Sequence, residues 1–202
     1  KKITKSHLDY ANELLKQNKY DQALKHYNKT IELGKKYGYS EYQVKAETNV
    51  SKVYYEKGKN HFSEGKYEEA ISLFEKAIEG DPDYGWAYIR KALAYRQIGD
   101  ADAMEKAVEE AIRIGKKTGE DNIVSTSREL AYKYFYNKGV KALKAKNYAE
   151  AIPNLEKAIQ YNGNNTLYHY LAICYSQEKN FEKAVENEKK VIEAFKDEKS
   201  KD

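Results

Sequence analysis

The most constraining feature of the sequence is a ladder of small and large residues that recurs five times. The stretch "GKYEEAISLFEKAIE" places Tyr67, Ala70, Phe74 and Ala77 at steps of three and four residues. Such steps put all four side chains on one face of an α-helix. The small-residue column of the ladder is Ala23, Ala70, Met104, Ala151 and Ala184, with steps of 47, 34, 47 and 33 residues.

Two further columns repeat with the same steps, which is hard to obtain by chance. One column is Thr30, Ala77, Ala111, Ala158 and Val191, and the other is Ala11, Gly58, Ala92, Gly139 and Ala172. Between these two columns lie the short breaks "QNKY", "EGKY", "IGDA", "AKNY" and "EKNF", whose Gly, Asn or Asp residues end one helix just before the next begins. The pattern therefore predicts five helix pairs, because a small residue on each helix lets the two axes approach closely.

The repeat resembles that of the tetratricopeptide repeat family. The match is best in residues 51–84, which carry Tyr54, Gly58, Gly65, Tyr67, Ala70, Phe74, Ala77 and Pro82. The resemblance implies an all-α fold, a right-handed α-solenoid of tandem helix-turn-helix pairs with about ten helices. We expect a single domain over residues 1–202, with units at approximately 4–38, 41–84, 85–119, 121–164 and 165–198.

The two steps of 47 residues predict two lengthened helix pairs. The connector "LGKKYGYSEYQVKAETNVSKVYYEKG" parallels "IGKKTGEDNIVSTSRELAYKYFYNKG", 81 residues further on. We expect Gly38 and Gly119 to end one helix each, and the following helices to start near Ser40 and Asp121 and run about 24 residues. A separate departure is Glu188 in the aromatic column, which fits a last repeat whose outer face meets water.

Composition narrows the class of protein. With 41% hydrophobic and 34% charged residues, the chain is too apolar for disorder and too polar for membrane insertion. Its net charge of +4 comes from interleaved signs, which favours solvated helix faces over a nucleic-acid-binding stripe. We therefore expect a soluble protein. Because the chain begins with Lys1, we expect a trimmed or processed chain, and both a cytoplasmic and an exported location stay open.

Motifs for catalysis and cofactor binding are missing from the sequence. It contains no GxxxxGK[ST], GxGxxG, HExxH or CxxC. The four histidines, His7, His26, His61 and His169, fall on four predicted helices without metal-ligand spacing. Cys174 lies in an apolar helix and fits a small buried residue. We expect no enzymatic activity, no cofactor and no metal.

The resemblance implies that the first helices of successive pairs line a concave groove that binds peptides. On this sequence the groove residues would be Tyr55, Lys59, Phe62, Trp86, Ile89, Leu93, Arg96, Lys133, Tyr136, Val140 and Leu143, preceded by Leu8, Asn12 and Leu15. For Tyr55 and Tyr136 the alternative is packing between neighbouring helices, and for Lys133 it is a solvated helix start. We expect Trp86 to be the main aromatic anchor.

The carboxylate-clamp subtype of the family is not expected. Its five clamp positions fall on Leu8, Asn12, Glu56, Trp86 and Arg90. Only Asn12 and Arg90 are of the required type, and Glu56 would repel a carboxylate. The predicted function is a non-enzymatic scaffold that binds a protein or peptide partner. The alternatives are a nucleic-acid-binding helical repeat and a structural solenoid that self-associates weakly through its last repeat.

Overall fold

A computed structural model describes residues 1–199, and in this range the chain forms ten α-helices and no strand. The helices are α1 (Lys2–Lys16), α2 (Tyr20–Tyr37), α3 (Ser40–Ser63), α4 (Tyr67–Gly80), α5 (Gly85–Ile98), α6 (Ala101–Thr118), α7 (Asp121–Lys144), α8 (Tyr148–Asn162), α9 (Asn165–Gln177) and α10 (Phe181–Lys199). The helix breaks fall at the five predicted tetrapeptides. The all-α class of tandem helix pairs is confirmed, and so are α3 and α7 as the longest helices, with 24 residues each.

The chain divides into two compact units. The first unit is Lys1–Val124 and contains α1 to α6, whereas the second begins at Ser125 and contains most of α7 together with α8 to α10. Each unit is described by itself below. The single-domain organisation expected from the repeat stays a prediction.

In the first unit the small residues of the ladder lie at close helix contacts. Ala11, Ala23 and Ala70 have no exposed surface. Gly58 of α3 meets the ring of Phe74 of α4 so closely that a Cβ atom at Gly58 would lie 2.7 Å from the ring. The large residue of one helix thus occupies the space left by the small residue of the other. This arrangement confirms the predicted packing code.

The two lengthened connections share one geometry. Gly38 ends α2 with φ +70°, and its N–H donates to the carbonyl of Gly34. Gly119 ends α6 with φ +75° and donates to Gly115 in the same way. A Cβ at Gly34 would lie 2.8 Å from the Cβ of Gln43, so α2 and α3 approach too closely for any larger residue there. The 81-residue duplication is therefore present in the backbone as well as in the sequence.

The second unit packs by the same rule. Ala151, Leu155 and Ala158 of α8 have no exposed surface. A Cβ at Gly139 of α7 would lie 2.8 Å from the side chain of Leu155, which again pairs a small residue with a large one. Helix α9 packs on both α8 and α10.

Candidate functional site

An open cleft of about 860 Å³ lies between α1 and α3 in the first unit. Its α1 wall includes Asp9, Asn12 and Lys16, and its α3 wall includes Asn49 and Lys52. Both helices are first helices of their pairs, so this cleft is on the surface that the sequence predicted as the groove. Most of its lining residues are polar or charged, unlike the apolar row that was expected.

A hydrogen-bonded amide forms the centre of the cleft. The hydroxyl of Tyr27 donates to Oδ1 of Asn12 at 2.6 Å, and Nδ2 of Asn49 donates to the same oxygen at 3.0 Å. Two donors on one oxygen fix the orientation of the Asn12 amide. No partner for Asn12 Nδ2 is present among residues 1–199. The amide is therefore held rigidly with two N–H donors available to a ligand.

Charges around the cleft are mostly compensated in pairs. Lys16 lies 2.7 Å from Glu13, and Lys59 lies 2.8 Å from Glu56. Burial raises the pKa of Tyr27 to about 12, so this hydroxyl stays protonated and remains a donor to Asn12 throughout the neutral range. The cleft thus presents fixed polar groups with little net charge.

The predicted groove residues of the first unit divide into two groups. Tyr55 and Ile89 are only 8% and 3% exposed, so they support the surface from below instead of forming it. Tyr55 packs on Tyr84 with ring centroids 4.9 Å apart, as the packing alternative expected. Partly buried members of the group, whose side chains reach the surface, are Lys59, Phe62, Trp86, Leu93 and Arg96. Trp86 packs against two buried clusters, one around Phe74 and one around Ile89.

The four predicted groove residues of the second unit lie on α7. Lys133 is exposed and pairs with Glu129 one turn earlier, at 2.6 Å, as on a solvated helix face. Tyr136 is partly buried, and its ring lies 5.5 Å from that of Tyr132. Val140 and Leu143 are also partly buried. A role for these residues in binding stays a prediction.

Asn49 is a cleft residue that the sequence reasoning did not select. It lies on α3 one turn before Lys52, at the position that corresponds to Lys2 of α1. None of the three repeat columns includes this position, so they assign no role to it. The available signal was a polar residue one turn before Lys52, on the same helical face.

Two histidines that the sequence treats as unrelated are brought together. His7 on α1 and His26 on α2 face each other with 2.9 Å between their Nδ1 atoms. No cluster of three or more His, Cys, Asp or Glu side chains suited to a metal ion is found in the part of the chain that the structure describes. Cys174 is buried, and its burial raises the pKa of the thiol to about 11.

Tandem helix pairs with small residues at the helix crossings define an all-α helical-repeat protein. The sequence profile described as "Tetratricopeptide repeat" matches residues 61–120 and 142–197, more than half of the chain. The protein therefore belongs to the tetratricopeptide repeat family. Members of this family commonly mediate protein–protein interactions and are generally not enzymes. Within residues 1–199, no helix is both long and apolar enough to cross a bilayer.

Solved structures provide further comparisons. A TPR repeats protein from Bacteroides fragilis is 21% identical, with a TM-score of 0.54, over 96% of this chain and 85% of that one. MamA is 20% identical with a TM-score of 0.41, over 95% and 91% of the two chains. The yeast Sti1 TPR2AB domain, in a complex with pHSP90, is 18% identical with a TM-score of 0.35, over 95% and 77%. The first of these likenesses supports the fold alone. No curated protein gave a match.

Proposed function

We propose that this protein binds an extended segment of a partner protein along the faces of α1, α3 and α5 in the first unit. The observation that carries the proposal is the Asn12 amide in the lining of the cleft, whose oxygen is held by two hydrogen bonds while its nitrogen has no partner among residues 1–199. A fixed amide donor is suited to a backbone carbonyl, because every residue of an extended chain offers one. Such a contact positions a peptide without selecting its sequence.

Selectivity would come from α5. Trp86 and Leu93 are partly buried, so they can cover an apolar side chain of the partner. Arg90 and Arg96 have no ion-pair partner within residues 1–199, which leaves two cations on the same helix. Desolvated aromatic anchors provide much of the energy in such interfaces, and nearby charges set the preferred partner. We expect a segment with apolar side chains next to acidic ones.

The sharpest test of the cleft is Asn12→Asp. An aspartate oxygen can still accept hydrogen bonds from Tyr27 and Asn49, so the fold is kept, but the N–H donors are lost. Peptides would be selected on the parent protein from a phage-displayed random library, synthesised, and titrated by calorimetry. We expect Asn12→Asp to weaken their binding by about tenfold or more.

The α5 surface is tested with the same peptides. Trp86→Ala and Arg96→Glu should each weaken binding by about tenfold or more while helical content stays unchanged by circular dichroism. Val44→Ala, an exposed apolar position on α3, is the matched control and should bind as the parent does. If Asn12→Asp, Trp86→Ala and Arg96→Glu all bind the peptides as tightly as the parent, the proposed site on α1, α3 and α5 is wrong.

A further inference from the structure

The last helix pair exposes an apolar surface between α9 and α10. Phe181, Val185 and Ile192 of α10 are 64%, 54% and 52% exposed, and Ile173 of α9 is 36% exposed. Together with Ala172 and Ala184 they line an open groove. Large apolar side chains clustered on one face of a folded protein mark an interaction surface more often than a solvated one.

The same positions of the first helix pair are covered by the next helix. In the repeat register, Tyr20, Leu24 and Ile31 of α2 correspond to Phe181, Val185 and Ile192 of α10. Tyr20 is buried and accepts a hydrogen bond from Asn60 of α3. Leu24 and Ile31 pack on the cluster that contains Val53 of α3. The surface on α9 and α10 is therefore one that, elsewhere in this chain, receives the first helix of a following pair.

The first helix of the chain exposes the complementary face. Ile3 and Tyr10 of α1 are 70% and 53% exposed. In the register they correspond to Val50 and Lys57 of α3, and both of these contact the preceding pair. Val50 packs on the cluster of α1 and α2, and Lys57 lies 2.6 Å from Asp21 of α2. Helix α5 also contacts the preceding pair from this column, because Lys91, which corresponds to Lys57, lies 2.8 Å from Glu75 of α4.

Charge adds a second complementarity. Glu188 of α10 lies in the groove, with its Oε1 atom 2.8 Å from Nδ1 of His169 of α9, and it corresponds to Tyr27 of α2. Tyr27 hydrogen-bonds to Asn12, which in turn contacts Asn49 of α3. Since Asn49 corresponds to Lys2 of α1 in the register, a second chain that docked as the next pair would bring Lys2 towards Glu188. The exposed side chains of α1 thus match the groove in both polarity and sign.

We propose that a second copy of this chain docks its α1 face into the groove between α9 and α10, head to tail. The contact repeats the α2–α3 and α4–α5 contacts between two molecules, and its α1 face shares Tyr10 with the lining of the α1–α3 cleft. Such a heterologous contact leaves one free α1 face and one free groove when two copies have joined, so further copies can add and form an open chain or a closed ring.

Sedimentation equilibrium tests the proposal. The average mass of the parent should rise above the monomer mass of 23.4 kDa, and beyond twice that value, as concentration increases towards about 1 mM. Ile3→Glu should keep the protein monomeric, and the fold should tolerate it because an acidic residue is favourable in the first turn of a helix. Ile192→Glu should also keep it monomeric. Val44→Glu, on neither face, is the control and should associate as the parent does.

Mixing the two monomeric variants decides the direction of the contact. Each retains one intact face, so an equimolar mixture of Ile3→Glu and Ile192→Glu should form a dimer and no larger species. Likewise, Glu188→Lys should weaken association of the parent chain, and adding Lys2→Glu to it should restore association. The proposal is overturned if the parent stays monomeric at all concentrations. It is also overturned if Ile3→Glu associates like the parent, since the groove would then take a different occupant.

Discussion

The first and last helix pairs offer the same surface in two states. In the first pair, Leu24 and Ile31 pack beneath α3. In the last pair, the corresponding Val185 and Ile192 are more than half exposed. The first pair is followed by α3, which covers this surface, and within residues 1–199 no further helix follows α10. An apolar column in a repeat protein therefore predicts a packing surface. It does not predict whether another helix packs on that surface.

The largest expected difference between the two surfaces is in the free energy of unfolding when Ile31 or the corresponding Ile192 is replaced. Ile31→Glu should lower the free energy of unfolding by about 3 kcal/mol, because it loses apolar burial and places a charge against the α3 cluster. Ile192→Glu makes the same change at an exposed position and should stay within about 0.5 kcal/mol of the parent. Urea unfolding followed by circular dichroism at low protein concentration measures both. If the two variants lost similar amounts of unfolding free energy, the two surfaces would be equally buried, and the contrast between them would be wrong.

The small-residue column gives a second, somewhat smaller contrast. Ala70→Leu and Ala151→Leu should each cost about 1–3 kcal/mol, because neither residue has exposed surface and a leucine would overpack the helix crossing. Ala184 lies in the same column but beside the open groove, so Ala184→Leu should cost less. Thermal melts of the three variants rank them. A variant of Ala70 or Ala151 that melted with the parent would contradict the packing code.

The smallest effect concerns the outer side of the first pair. Burial, with the neighbouring His7 and Lys25, lowers the pKa of His26. The unfolded chain then binds this proton more readily, so stability falls as pH drops below about 6.5, the ordinary histidine pKa. His26→Gln removes this contribution. Its melting temperature should fall less than that of the parent between about pH 7.5 and about pH 5.5. An equal fall in both proteins would show that His26 has no part in the pH dependence.

Most of the fold could be predicted from the sequence because the repeat fixes it locally. Each helix break contains Gly, Asn or Asp, and Gly38 and Gly119 end their helices in the left-handed conformation. The 81-residue offset then identifies α3 and α7 as equally long. The helix breaks depend on residues that are adjacent in the chain, and the helix lengths follow from the spacing of a repeated column. Both kinds of information can be read from a single sequence.

The candidate site was harder to predict because it depends on contacts between distant residues. The Asn12–Asn49 hydrogen bond joins residues 37 positions apart on two helices, and neither residue belongs to a repeat column. His7 and His26 meet across two helices for the same reason. Packing of Tyr55 between neighbouring helices was one of two predicted outcomes, but the burial of Ile89 was not predicted, since burial depends on how large the neighbouring side chains are. Helical periodicity predicts which face of a helix a side chain lies on, but it does not predict how deeply that side chain is buried.

The buried thiol of Cys174 has a practical consequence for kinetics. Only a thiolate attacks a disulfide reagent, and burial keeps this group protonated and covered at neutral pH. Labelling must therefore wait for α9 to separate from its neighbours. The rate at which a thiol reagent modifies Cys174 therefore measures the rate of these local openings, on the native sequence and without an attached probe. Cys174 thus reports on transient local unfolding of the last helix pair.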